Sequence, residues 1–356
     1  GVIMKKELLM ASALVSTLGV ASVAQAVTAT MAGSMKVGAE FESADDATVD
    51  SNTVMDQSNF NISLSETTDG GTTISTSFEI VDEGTVAADD DNAIKLTFTD
   101  GSAVELLNAG NAAGTHVVAV PGAGGEQGVG GTSTNNAPGD VDFAAGSTAL
   151  GVEWHSAADF LADGLKMSAS FSTDNGAAKT ATARLENSWG VGATYVTTAG
   201  DTTLTIGGGI ADGEIANTGT QASADKGGFN IGVSAVTGDL TIGIGYGDGD
   251  TFVANDATAS SNREVNGSVT KVGAKYVTGD ITLAVGFSSG EAKDSDTLGT
   301  AGTTDDSSDS TSASVTYAVA SGVSAVLGYT TVDTNNEGSA STDGGSAWYV
   351  GATMSF

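Results

Sequence analysis

Four segments in the second half of the chain share one pattern at a spacing of about 40 residues: Val191-Gly-Ala-Thr-Tyr195, Ile231-Gly-Val-Ser-Ala235, Val272-Gly-Ala-Lys-Tyr276 and Ala313-Ser-Val-Thr-Tyr317. Each runs into a short turn signal, Gly200-Asp201, Gly238-Asp239, Gly279-Asp280 or Ser321-Gly322, and then into a second alternating segment. Those second segments place Leu240, Ile242, Ile244 and Tyr246, or Ile281, Leu283, Val285 and Phe287, or Val323, Ala325, Leu327 and Tyr329, on one face. Period-two alternation reads as strand, and a glycine-bearing two-residue link reads as a hairpin. The repeating unit is therefore a pair of strands, whereas a propeller blade of similar period needs four.

The same reading carried along the chain predicts strands over 28–41, 55–65, 72–81, 93–99, 102–107, 147–155, 164–173, 179–197, 202–211, 227–237, 239–247, 265–278, 280–288, 311–319, 323–332 and 346–356, about sixteen in all. Short connections follow the even strands and long ones the odd strands, so both chain ends fall on the short-turn side. An even strand number with short turns at one end and long loops at the other is the pattern of an all-β transmembrane antiparallel barrel. Aromatic residues sort into two levels on the apolar face. Tyr195, Tyr276, Tyr317 and Phe356 lie near the short turns, and Tyr246, Phe287, Tyr329 and Trp348 near the long loops. Two girdles around an aliphatic band suit the two interfaces of a bilayer.

The chain ends support that destination. Met4 is followed by Lys5 and Lys6, an apolar run from Leu8 to Ala24, and Val23-Ala24-Gln25-Ala26. A basic start, a short apolar centre and a small-residue ending predict a cleavable signal peptide over residues 1–26, leaving 27–356 as one barrel domain. Its loss removes two lysines and one glutamate, taking the net charge from −32 to −33. No later apolar stretch approaches the roughly 18 residues a spanning helix needs, so an exported chain of this kind is soluble or crosses the membrane as a closed barrel. Few prolines, many Gly, Thr, Ser and Val residues, and few helix formers favour strands. At the other end Trp348, Val350, Ala352, Met354 and Phe356 alternate with Tyr349, Gly351, Thr353 and Ser355, and the last residue is Phe. Such an ending resembles the signal read by the barrel-insertion machinery, which makes that machinery an expected partner.

These features together, carried by Met31–Phe41, by the hairpin from Glu153-Trp-His to Lys166–Phe171, and by Trp348–Phe356, resemble the sixteen-stranded general diffusion porins of Gram-negative bacteria, particularly the alphaproteobacterial type. The resemblance implies an outer-membrane, water-filled channel for passive diffusion of small hydrophilic solutes and ions. It also implies a homotrimer in contact with outer-membrane lipid and lipopolysaccharide, and no enzyme activity. In that family the loop after the fifth strand folds inward and narrows the pore. Here residues 108–146 form the longest connection. The departure is in its chemistry: it is mostly Gly, Ala, Asn, Thr and Val, with Glu126, Asp140 and Asp142 as its acids.

If the apolar face meets lipid, the other face lines the pore. Its charges in the first half are Lys36, Glu40, Glu79, Lys95, Glu105, Glu153, Lys166, Arg184 and Glu186, while the second half reads as small and neutral. Lys36, Lys95, Lys166 and Arg184 are expected to form the basic side of a constriction opposed by Glu126, Asp140 and Asp142. Glu40, Glu79, Glu105, Glu153 and Glu186 are expected along the pore. Such charges bias passage without halting it. The overall acidity excludes nucleic acid as a partner and favours cations in any pore.

Most remaining acids fall in the outer loops, among them Asp45, Asp46, Asp89, Asp90, Asp91, Asp294, Asp296, Asp305, Asp306 and Asp309. Solvation of those loops is the preferred reading. Binding of Ca2+ or Mg2+ as a bridge to lipopolysaccharide is the other. Asp333-Thr-Asn-Asn-Glu-Gly338 begins like a calcium loop but has Gly344 at its twelfth position. No cofactor is expected, and without cysteine there is neither a disulfide nor a thiolate metal site. The two histidines are His116, in the long loop, and His155, beside Trp154. His155 reads as a pore or turn residue rather than a base, since no serine is marked out as its partner. Alternative readings are a non-conducting structural or adhesive barrel, a soluble secreted β-protein and an outer-membrane enzyme.

Overall fold

In the computed structural model the described residues are 27–44, 51–82, 93–107, 109–123, 151–173, 184–216, 224–253, 263–295, 306–335 and 344–356. The signal-peptide reading of 1–26 lies outside them. Sixteen strands form one closed antiparallel barrel in which each strand pairs with its chain neighbours and β1 closes on β16. They are β1 Thr28–Ala44, β2 Ser51–Thr67, β3 Thr73–Asp82, β4 Ile94–Thr97, β5 Ala103–Leu106, β6 Gly151–His155, β7 Leu165–Ser172, β8 Arg184–Ala199, β9 Thr202–Ala216, β10 Ala224–Thr237, β11 Leu240–Val253, β12 Arg263–Thr278, β13 Ile281–Ser295, β14 Asp306–Ala320, β15 Val323–Asn335 and β16 Gly345–Ser355. A four-residue helix, α1 Ala112–Thr115, follows β5.

The hairpin turns have a local cause. Gly200, Gly238 and Gly279 take φ values of +62°, +56° and +57° at the first central position of their two-residue turns. That is the conformation glycine adopts freely, and its twist matches the flanking strands.

Several strands run past the limits that alternation predicts. β9 extends to Ala216, β11 to Val253 and β13 to Ser295, where Asp212, Asp248 and Glu291 replace the apolar face. Backbone pairing continues above the apolar band because the ladder needs hydrogen bonds, not an oily side. β8 is described from Arg184, the expected residues 179–183 lying outside the described ones, and carries a register shift between Glu186 and Trp189, with Asn187 at φ +51°. An inserted residue breaks the two-fold count of the pleat.

The hydrophobic surface is turned outward. Val191, Ile206, Ile210, Ile231, Ile242, Ile244, Val272 and Val285 are all exposed on the wall. Small and polar residues alternating with them face inside, and many are buried: Ser168, Ser170, Ser188, Asn230 and Ser314 are at most 8% exposed. This inversion is what a wall solvated by lipid requires. The aromatic residues stand toward the two ends of the wall. Tyr195, Tyr276, Tyr317 and Phe356 stand exposed at the short-turn ends, and Tyr246, Phe287 and Trp348 at the long-loop ends. Tyr329 stacks on Trp348 with ring centroids 4.5 Å apart. The seam is closed by reciprocal backbone bonds of 3.0 Å between Gly33 and Phe356. The Phe356 ring fills the space a side chain at Gly33 would occupy.

Candidate functional site

The functional site is the interior of the barrel, and residues 109–123 are folded into it. Asn111 caps α1, its side chain accepting from the Gly114 N–H at 3.0 Å. The segment then crosses the inner wall strand by strand. A Cβ added to Gly192 of β8 would lie 2.5 Å from the Ala112 carbonyl oxygen, and one on Gly209 of β9 2.5 Å from Ala113 Cα. On Gly207 it would lie 2.7 Å from the His116 carbonyl oxygen, on Gly232 of β10 2.8 Å from Val118 Cβ, and on Gly243 of β11 2.8 Å from Pro121 Cδ. On Gly273 of β12 it would fall on the Pro121 carbonyl, and on Gly286 of β13 it would lie 3.2 Å from Gly122 Cα. Each of these glycines alternates with an outward aliphatic residue, so all seven face the lumen. They form a bed into which the segment's backbone settles, and any larger residue there would raise it into the pore.

Polar side chains of the wall hold the segment at its start. Glu153 of β6, 4% exposed, accepts from the Asn111 N–H at 3.1 Å and from the Thr115 hydroxyl at 2.6 Å. Ser170 of β7 accepts from the Ala112 N–H at 3.0 Å and donates to the Gly110 carbonyl at 2.9 Å. Asn230 of β10 donates to the Ala113 carbonyl at 3.1 Å. His116 places Nδ1 2.7 Å from Thr194 Oγ1 and Nε2 2.9 Å from Ser168 Oγ. Bonds to a buried charged acceptor are worth about 1.5–3 kcal/mol each, so Glu153 is the strongest single tie.

Beside these ties is a charged cluster. Lys95 Nζ lies 2.6 Å from Glu105 Oε1. His155 has Nε2 3.4 Å from the same oxygen, Nδ1 3.8 Å from Glu153 Oε1, and Nδ1 3.0 Å from Ser168 Oγ. Ser168, His155 and Glu105 thus follow the contact order of an acyl-transfer site. The hydroxyl, however, is 4% exposed and enclosed by His116, leaving no room for a substrate carbonyl.

Lys36 stands on β1, Lys95 on β4 and Lys166 on β7. All three alternate with outward apolar neighbours and so face inside, as do Glu40, Glu79, Glu105 and Glu153. Strand register carries Lys95 through Ser75 and Ser65 to Thr28 of β1, not to Lys36. Arg184 and Glu186 lie beyond the β8 bulge, opposite Ala216 and Glu214. The alternation that assigned them to the lumen does not carry across that bulge, and their side chains lie outside the described residues. Glu126, Asp140 and Asp142 also lie outside them.

Sequence reasoning missed two inward cations. Lys271 and Lys275 of β12 alternate with the outward Val272 and Tyr276, so the second half of the lumen is not neutral. They sit inside the repeat itself, where the pleat count would have found them. The glycine bed was equally visible as residues but not as a contact. Among the described residues no group of three or more His, Cys, Asp or Glu side chains is placed to hold a metal ion.

A family model described as Gram-negative porin matches residues 11–354. No curated protein matches the chain significantly. Similar solved structures include a porin refined at 1.8 Å, 18% identical with a TM-score of 0.63, the match covering 92% of this chain and 100% of that one. The anion-selective porin from Comamonas acidovorans is 10% identical with a TM-score of 0.64, covering 93% of this chain and 100% of its own. The trimer form of in-vitro folded OmpT, an outer membrane protein of Vibrio cholerae, is 15% identical with a TM-score of 0.60, covering 93% and 99% respectively. At these identities the structural likeness is one of fold.

Proposed function

The chain belongs to the Gram-negative porin family, and from that premise we propose a cation-preferring diffusion channel, narrowed by the segment 109–123 and assembled as a homotrimer. The family places it in the outer membrane as a channel rather than an enzyme. The observation that carries the narrowing is the seating of 109–123 on lumen-facing glycines of six strands, β8 to β13. A backbone laid along the wall reduces the opening without closing it.

Charge supports the cation preference. The sequence carries a net −32, and Asp212, Asp248, Glu291, Asp309 and Asp333 stand at the long-loop ends of β9, β11, β13, β14 and β15. These acids share the outward face of their strands, so they charge the outer rim of the mouth, where charge of one sign concentrates counter-ions. Inside, Lys95 is offset by Glu105 at 2.6 Å, and Lys36, Lys166, Lys271 and Lys275 also face the lumen. Trimerisation draws on the resemblance and on the trimeric form of the Vibrio protein. Lipid, lipopolysaccharide bridged through Ca2+ or Mg2+ at the outer acids, and the barrel-insertion machinery complete the proposed partners.

The reversal potential in a planar bilayer under a KCl gradient tests the selectivity. The expected sign is that of K+ preference, weakening as salt rises because exposed charges are screened over about 10 Å at 0.1 M. A Cl− preference would transfer control to the inner lysines.

A further inference from the structure

We propose that Ser168, gripped between His116 of the inward segment and His155 of β6, is a proton-keyed latch that holds the segment on the wall at neutral pH and releases it in acid. The electrical part of this proposal rests on the diffusion-channel reading.

The geometry sets the logic. One hydroxyl oxygen, 4% exposed, serves two imidazoles, His116 Nε2 at 2.9 Å and His155 Nδ1 at 3.0 Å. A hydroxyl owns a single proton, so it donates to one ring and accepts from the other. His155 turns Nε2 toward Glu105 at 3.4 Å, which favours the N–H on that side and leaves Nδ1 bare. The neutral chain then runs one way: Thr194 donates to His116 Nδ1, His116 Nε2 donates to Ser168, and Ser168 donates to His155 Nδ1.

A first proton is accommodated without breaking any of these contacts. On His155 it would face the carboxylates of Glu105 and Glu153 at 3.4 and 3.8 Å. The chain reverses: His155 donates to Ser168, Ser168 donates to His116 Nε2, and His116 donates from Nδ1 to Thr194. A second proton has no such outlet. With both rings charged, two N–H groups converge on one oxygen, the hydroxyl proton loses its acceptor, and two cations face each other across a buried atom.

His116 resists that second proton. It is 5% exposed, and burial first, then the charges of His155 and Lys166, push its imidazole down to about 4 from an ordinary 6.5. The docked form therefore prefers His116 neutral. Its docking strength is complete above about 6.5 and is lost as pH falls toward 4. The charged and titratable groups facing the latch are Glu153 and His155 on β6, Glu105 on β5, Lys95 on β4 and Lys166 on β7. The wall residues of β8, β9 and β10 that touch the segment, Thr194, Gly207, Gly209 and Asn230, do not titrate.

Two measurements on the folded chain test this. The sequence has two histidines, so imidazole carbon labels in lipid nanodiscs give two titration curves, assigned with His155→Asn. His116 is expected to titrate near 4, with single-channel conductance falling about twofold over that step as the freed segment enters the lumen. The chain has no cysteine, and a Cβ placed on Gly232 would lie 2.8 Å from Val118 Cβ, closer than disulfide spacing, so an oxidised pair there holds the segment slightly lifted but tethered to the wall. Oxidising Val118→Cys with Gly232→Cys should abolish the acid step, and reductant should restore it. Ser168→Ala should already show the low, unsteady conductance at pH 7. His116 titrating near 6.5, an acid step persisting in the cross-linked protein, failure of the cross-link at neutral pH, or an unchanged pH profile in Ser168→Ala would each overturn the latch. An absence of current at every pH would sink the channel reading instead, and the imidazole titrations would still decide the latch.

Discussion

Replacing Gly273 by alanine is expected to lower single-channel conductance by about a third to a half, because the current follows the open cross-section. The added Cβ falls on the Pro121 carbonyl, with the Val285 carbonyl oxygen a further 3.1 Å contact. Backbone on both sides leaves no flexible side-chain end to give way. The wall is held by its ladders to β11 and β13, so the inward segment moves rather than the strand. Gly122→Ala is the matched control: the same methyl, one residue past Pro121 on the segment itself, meets nothing within 4 Å. Its conductance should stay at the parent value. Gly273→Ala should cost no more than the roughly 1–3 kcal/mol of overpacking, so both variants should still fold and insert. Equal conductance in the two variants would mean that the segment does not rest on β12.

Glu153→Ala has the larger consequence for the segment's hold. It removes the carboxylate that accepts from the Asn111 N–H and the Thr115 hydroxyl at once, leaving the hydroxyl its longer 3.2 Å contact with the Asn111 carbonyl. At about 1.5–3 kcal/mol per bond to a charged group, the docked state should lose roughly 3–5 kcal/mol. Amide hydrogen exchange over 112–122 should then quicken by two orders of magnitude or more, about what that free energy implies. Exchange in β9 to β13, protected by unbroken ladders, should not change. Glu153→Gln keeps an acceptor oxygen but no charge, and should fall between. Open-channel noise should rise in the same order, and flat noise across the series would contradict the tie.

The wall was readable from the residues because lipid imposes a strict rule on it. Ile242, Ile244, Val285 and Leu327 alternate with small or polar neighbours, and a pleat with one oily side has no other arrangement. Turn chemistry was readable for the same reason, since Gly200, Gly238 and Gly279 meet a local backbone demand. Strand ends were lost where Asp212, Asp248 and Glu291 carry pairing into water, because hydrophobic alternation measures the membrane and not the ladder. The β8 bulge was invisible, as Asn187 takes a positive φ that no flanking pattern announces.

The interior followed a different physics. Gly192, Gly232 and Gly273 occupy the second place of the repeat read from the sequence, yet their purpose lies in contacts with Ala112, Val118 and Pro121 many strands earlier. Nothing local says that a missing side chain will be filled by distant backbone. His116 gave no signal either. Its role comes from Ser168 and Thr194, on two neighbouring strands that fold beneath it. Glu153 was placed in the pore by alternation, but its hold on the inward segment arises only where 109–123 folds back onto β6.

The central claim is that this wall encloses an open, water-filled path. Single-channel recording of refolded residues 27–356 in a planar bilayer at neutral pH tests it most directly. Discrete upward conductance steps that persist at low voltage are the predicted result. Stable insertion, shown by heat-modifiable mobility and strand-rich circular dichroism, with no steps at all would contradict it and make the molecule a closed structural barrel.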